Sequence, residues 1–328
     1  MKVLITGGAG FVGARLAREL LKTGELSGKT IGQLVLADLS LPPADLLADR
    51  RVHAATGTLI AQCAALSAER FDVIFHLAAA VSAECEADFD LGLRSNVDTT
   101  RALLDALRAA GNVPRFVFSS SLAVFGSDPA LLMPAVIRDD TLPTPQSSYG
   151  IQKFICEQLV ADYTRKGFID GRNVRLMTVV VRPGRPNGAA SGFMSGIIRE
   201  PVNGLATVCP VSPETRVALA SPARTIEGVI AIAQASREAL GGRTAINLPA
   251  LTVSVGEMLQ ALEAVAGAEA RALVRFEPDA AITRLVGCWP AEFDNSRAQR
   301  LGLEPDPDFL SIVRQYLDDR AQQAPTRS

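Results

Sequence analysis

Lys2-Val3-Leu4-Ile5-Thr6-Gly7-Gly8-Ala9-Gly10-Phe11-Val12-Gly13 is the stretch that decides the fold of this chain. A run of strand formers turns through glycines at 7, 10 and 13 into an amphipathic segment over 14–22. Residues without a Cβ let backbone N–H groups and the positive end of a helix approach a pyrophosphate. A glycine triplet alone is a weak signal, but here a second strand, Gln33–Asp38, ends on an acidic residue where a ribose diol would lie. A carboxylate at Asp38 accepts hydrogen bonds from both ribose hydroxyls and repels a 2′-phosphate, and Leu39-Ser40 bring no arginine to offset that repulsion. The pattern predicts NAD rather than NADP.

Outward from this turn, short apolar runs at 72–76, 115–119 and 174–181 alternate with helical patterns at 93–110 and 149–165. Near-continuous hydrophobicity suits strands covered on both faces. The expectation is an α/β chain with a Rossmann-type, doubly wound parallel sheet and a smaller C-terminal substrate-binding domain. After Val181 the turn-rich Arg182-Pro183-Gly184-Arg185-Pro186-Asn187-Gly188 changes the texture, so the predicted division is 1–182 for the cofactor and 183–328 mainly for the substrate. Returns to the sheet are expected around 221–250, as a helix over 225–235 and a strand over 244–248.

Length and composition narrow the chemistry. With 328 residues the chain exceeds what one core usually organises. It is 48% hydrophobic and 21% charged, as globular proteins are. A net charge of -2 gives no basic field for nucleic acid. Apolar stretches are interrupted by charges before membrane-spanning length, and no leader-like pattern precedes the first strand, which predicts a cytoplasmic protein without membrane contact. Five scattered cysteines read as reduced and mostly core, and two histidines, His53 and His76, do not make a metal site. The reading of His76 stays open between strand-end packing and function.

Ser119-Ser120-Ser121 closes a strand, and Tyr149-Gly150-Ile151-Gln152-Lys153 opens a helix. Tyr149 and Lys153, four apart, share one helical face. With the glycine turn, these residues resemble the short-chain dehydrogenase/reductase superfamily, and the Thr-Gly-Gly-Ala-Gly-Phe-Val-Gly form resembles its extended branch of sugar epimerases and dehydratases. The resemblance implies Tyr149 as acid/base, Lys153 on the nicotinamide ribose, and Ser121, five residues before Gly126, on the reacting hydroxyl. Lowering a phenol from about 10 to near 7 needs roughly 4 kcal/mol, and an ammonium about 5 Å away supplies about 3 kcal/mol at an effective dielectric near 20.

The expected cofactor set is Gly7, Gly10, Phe11, Val12, Gly13, Asp38, Thr58, Leu59, Leu77, Ala78, Ala79, Asn96, Tyr149, Lys153 and Pro183, with Asn96 structural first. The expected substrate set is Ser82, Ser121, Tyr149, Arg185, Asn187, Ser191 and Arg216, either arginine serving to hold a carboxylate; Phe193 reads as packing. Two departures from the branch stand out. Gly57-Thr58-Leu59 replaces the aspartate that holds adenine in many relatives, and Leu122-Ala123 replaces the Asp-Glu pair of the dehydratases, which disfavours dehydration. The 144–150 and 181–191 stretches and Ile197-Ile198-Arg199-Glu200-Pro201 are similar to those of the D-erythronate dehydrogenase group. That resemblance implies oxidation of the C2 hydroxyl of a small sugar acid, with a homodimer left open. A nucleotide-sugar 4-epimerase with tightly held NAD and a non-catalytic NAD sensor are the alternatives.

Overall fold

The computed structural model describes residues 1–184 and 189–323. Six strands of the main sheet come first: β1 (Lys2–Thr6), β2 (Gln33–Asp38), β3 (Val52–Thr56), β4 (Val73–His76), β5 (Arg115–Ser121) and β6 (Asp170–Leu176). A late strand, β10 (Ile246–Asn247), returns to complete a seven-stranded sheet in the order β10-β6-β5-β4-β1-β2-β3, with every pairing parallel. Strand order therefore reverses beside β1, and in such sheets ligands bind outside the carboxyl ends at that switch point.

Alternation along β1 and β2 explains how both faces are filled. Val3, Ile5, Leu34 and Leu36 join the cluster under α1 (Phe11–Thr23) and α6 (Pro222–Gln234). Leu4, Val35 and Ala37 point the other way, into the cluster under α2 (Leu59–Ala68), α3 (Thr99–Ala110) and α4 (Ser148–Arg165). Two apolar faces with period two make each strand a continuous hydrophobic run in sequence. Gly24, left-handed at φ 72°, closes α1.

A third cluster begins with Val180 and Val181 and is built on α5 (Gly192–Val202), α7 (Val255–Ala272) and α8 (Phe309–Gln323). Its small sheets pair β7 (Thr178–Val179), β9 (Arg216–Ala220) and β11 (Leu251–Ser254), and separately β8 (Thr207–Cys209) with β12 (Val274–Phe276).

The structure departs from the sequence reading in three places. β3 is an edge strand with three of its five residues exposed, so it lacks the apolar run that marked its neighbours. The strand expected over 174–181 begins at Asp170 and breaks at Met177, after which β7 pairs with β9 instead of the main sheet. Its first half was hidden because Arg172, Asn173 and Arg175 are polar yet buried. The helix expected from residue 93 opens with a π-helical stretch, Leu93–Asp98, before α3. Among the described residues no helix is long and apolar enough to cross a membrane.

Candidate active site

The glycine turn is shaped by contacts that exclude side chains. Gly7 has φ +73°, and a Cβ there would lie 2.8 Å from Ala78 N. At Gly13 a Cβ would lie 2.1 Å from Gly7 O, so the helix can pack against the turn only with glycine. Gly10 caps α1 without a side chain, which leaves the first N–H groups of the helix without a side-chain acceptor, an arrangement suited to an anion. Asp38 closes the turn: Oδ2 accepts from Ala9 N at 3.0 Å and Oδ1 from Ser40 N at 3.2 Å. The free lone pairs of that carboxylate and the uncapped helix are what the ribose and pyrophosphate of NAD require, so these residues fit the dinucleotide.

Thr6 joins β1 to β4. Its Oγ1 accepts from Ala78 N at 3.2 Å and bonds His76 Nδ1 at 2.7 Å, while His76 Nε2 meets Thr100 Oγ1 at 2.9 Å. His76 is buried, and burial followed by the charge of Lys153 pushes its pKa down to about 3. It is a neutral tie between β1, β4 and α3. Asn96, also buried, accepts from Ala80 N at 2.8 Å and donates to Gln152 Oε1 at 2.7 Å, fastening the loop after β4 to α4.

Helix α4 starts at Ser147, whose side chain accepts from Gly150 N, and this cap brings Tyr149 and Lys153 to the end of β5. The buried Lys153 donates to Ser119 O at 2.8 Å, and its Nζ lies 4.8 Å from the Phe118 ring centroid and 5.7 Å from that of Tyr149. Burial drives its pKa down to about 8, against smaller raising effects of Cys156, Cys85 and Glu157. Burial pushes the Tyr149 phenol up to about 12, while its hydrogen bond with Ser121 and the charge of Arg182 pull it the other way.

The three serines behind this pair have separate partners. Ser119 Oγ donates to His76 O at 3.2 Å, Ser120 Oγ to Glu157 Oε1 at 2.5 Å, and Ser121 Oγ accepts from Ala123 N at 3.2 Å. Glu157, one turn beyond Lys153, is gripped by Arg175 through bonds of 2.8 and 2.7 Å in the interior.

Ser121, Tyr149 and Lys153 wall one cavity of about 220 Å³, together with Val12, Leu77, Ala79, Ser82, Arg182, Ser191 and Trp289. Ser82, buried, also accepts from Ala190 N at 3.1 Å. Other expected residues lie apart from it. Thr58 is an exposed helix cap and Leu59 packs into the core; Phe11 is half-buried at the start of α1 and Pro183 is exposed. Arg216 is exposed and paired with Glu292 at 2.5 Å. Phe193 packs against the third cluster. Arg185 and Asn187 lie outside the described residues. Sequence reading did not single out Arg182, Glu157, Arg175 or Trp289. The available signals were an arginine directly after the buried Val180-Val181 pair, and a glutamate continuing the Tyr149/Lys153 spacing by one more turn.

Fold and site together define a dinucleotide-dependent enzyme whose cavity is walled by a tyrosine and a lysine one helical turn apart. The profile of the NAD dependent epimerase/dehydratase family matches residues 3–215, and the chain belongs to that family. It is thus an NAD-dependent enzyme, as the residues around Gly7 and Asp38 led one to expect. Among curated relatives, the D-erythronate dehydrogenase of Cupriavidus necator is 46% identical, covering 97% of this chain and 98% of the relative. That of Haemophilus influenzae is 43% identical over 97% and 99%. Among solved structures, one named as the nucleoside-diphosphate-sugar epimerase from Agrobacterium tumefaciens has a TM-score of 0.92 and 42% identity, covering 99% of this chain and 95% of its own.

Proposed function

We propose that this protein oxidises D-erythronate at C2, giving 2-oxo-D-erythronate and NADH. The observation that carries the reading is a Ser121/Tyr149/Lys153 constellation walling one small cavity, in a chain whose nearly full-length curated relatives are named for that substrate.

The glycine turn and Asp38 would hold NAD, which when bound would supply the acceptor for the C2 hydride. The chain manages the proton. Ser121 orients the C2 hydroxyl and Tyr149 takes its proton, so that the carbonyl forms as the C–H bond breaks. Burial keeps the phenol protonated in the ligand-free cavity, and ionising it takes positive charge nearby. Lys153 supplies that charge while it keeps its own proton, which burial limits to pH values below about 8. Ser119 O fixes the amine in place. Leu122 and Ala123 follow Ser121 with no carboxylate to protonate a leaving hydroxyl, in keeping with oxidation rather than dehydration. The five unbridged cysteines fit a cytoplasmic enzyme. In this reading residues 1–182, with the returns around 221–250, form the cofactor domain and the rest of 183–328 mainly the substrate domain.

The test is net NADH formation on adding D-erythronate, against none with UDP-sugars. A second reading, a nucleotide-sugar 4-epimerase, is favoured by the name of the Agrobacterium structure, against the names of the two nearly full-length dehydrogenase relatives. Interconversion of UDP-sugars without net NADH, and no oxidation of D-erythronate, would overturn the dehydrogenase reading. Binding of NAD with no turnover of either class would leave only a sensor.

A further inference from the structure

Arg182 is held in place by its backbone. Its N–H donates to Ser195 Oγ at 3.0 Å, and its carbonyl accepts from Arg199 at 2.8 Å. Directly before it, Val180 and Val181 are buried in the third hydrophobic cluster. The side chain is half-buried and lines the cavity with Ser121 and Tyr149. Among the described residues, its guanidinium has neither a carboxylate nor a carbonyl partner.

Most other arginines withdrawn from solvent are matched by a carboxylate or carbonyl, and Arg271 lies over the Phe276 ring. Arg172 is bound by Asp170 and by the carbonyls of Ile232 and Ala233. Arg175 grips Glu157 through two bonds, Arg199 grips Glu200 in the same way, and Arg297 reaches Ala245 O and Leu240 O. A half-buried guanidinium without a counter-charge is costly, and more so beside Arg199. Burial and that repulsion both lower the pKa of Arg182, and a nearby Tyr149 phenolate raises it. A cation held in this way, beside the acid/base and away from its own carboxylates, is matched by an anion that arrives with the substrate.

We propose that Arg182 binds the substrate carboxylate through its planar fork, which places the adjacent hydroxyl against Ser121 and Tyr149 and selects 2-hydroxy acids over neutral sugars. The proposal rests on the oxidation assigned above and adds the group that recognises the acid. It also explains why Arg216, tied to Glu292 outside the cavity, is not needed for that task.

The experiment compares D-erythronate and several other 2-hydroxy acids with their neutral amides, in wild type, Arg182→Gln and Arg182→Lys, with NAD binding measured by fluorescence as a check on folding. The acid-to-amide ratio of kcat/KM is the readout, because a structural defect or an altered Tyr149 acidity affects both substrates alike. Arg182→Gln is expected to lower that ratio about 10- to 150-fold, as loss of a hydrogen bond to a charged group does, mostly through KM, with Arg182→Lys in between. A ratio unchanged in Arg182→Gln, or a wild type that takes amides as readily as acids, overturns the assignment even where D-erythronate is oxidised. If wild type ignores D-erythronate but prefers another acid, and Arg182→Gln loses that preference, the D-erythronate reading falls and Arg182 stands. Oxidation of no acid in the panel removes both.

Discussion

Replacing Lys153 with methionine keeps most of the side-chain volume and removes the charge. The ammonium sits 5.7 Å from the Tyr149 ring centroid, where a unit charge is worth about 3 kcal/mol at an effective dielectric near 20. That is about two pKa units on the phenol, or roughly a hundredfold in the fraction ionised at any pH well below its pKa. The attraction lasts only while the amine is protonated, and burial brings that to an end near 8. The variant is therefore expected to be about a hundredfold slower than wild type at pH 7, and the two rates should converge as pH rises past 8, where the wild-type lysine is itself neutral. The assay is kcat for D-erythronate across pH at saturating NAD, so that a weakened grip on the cofactor ribose drops out. Loss of the bond to Ser119 O should lower thermal stability, since an orphaned buried carbonyl costs about 1–3 kcal/mol. A ratio that stays constant from pH 7 to pH 10 would refute the electrostatic role and leave Lys153 only a positioning one.

Tyr149→Phe should lower kcat by about 10²–10⁴-fold while leaving NAD affinity close to wild type, and retention of a tenth of the activity would exclude the phenol as base. Wild type should strongly prefer NAD, whereas Asp38→Ala combined with Leu39→Arg should move the preference toward NADP; equal use of both cofactors by wild type would contradict the role given to Asp38. His76 has a folded pKa of about 3 against an ordinary value of 6.5, so the unfolded chain takes up a proton first and stability falls as pH drops through that window. Denaturant titrations should show His76→Gln losing about 1.4 kcal/mol less per pH unit there than wild type, and parallel slopes would show that His76 is not the group responsible.

Much of this was legible because the determining contacts are local. Gly7, Gly10 and Gly13 announce a turn whose steric need is met within a dozen residues and by Ala78 beside it, and Tyr149 and Lys153 declare their common face through helical spacing alone. What was not legible depends on partners distant in the chain. Strand β6 is polar in sequence, and Arg172 and Arg175 find the carbonyls of Ile232 and Ala233 and the carboxylate of Glu157 only once the sheet has formed. Arg182 looks like one more arginine in a loop, and nothing nearby says that it will line the cavity with no carboxylate bonded to it among the described residues. Arg216 looked equally available until Glu292, 76 residues further on, came beside it.

Ser119, Ser120 and Ser121 read as three interchangeable letters, yet each speaks to a different listener. The first answers to the framework through the His76 carbonyl, the second to an interior charge network through Glu157, and the third to Tyr149 and, in the proposed reaction, to the substrate hydroxyl. Alanine at each should leave three distinct signatures: a small loss of stability at 119, a larger one at 120 where Glu157 loses a charged hydrogen bond, and slowed chemistry in a stably folded protein at 121. A short run of one amino acid on a strand end is thus neither repetition nor redundancy, because successive residues face different neighbours.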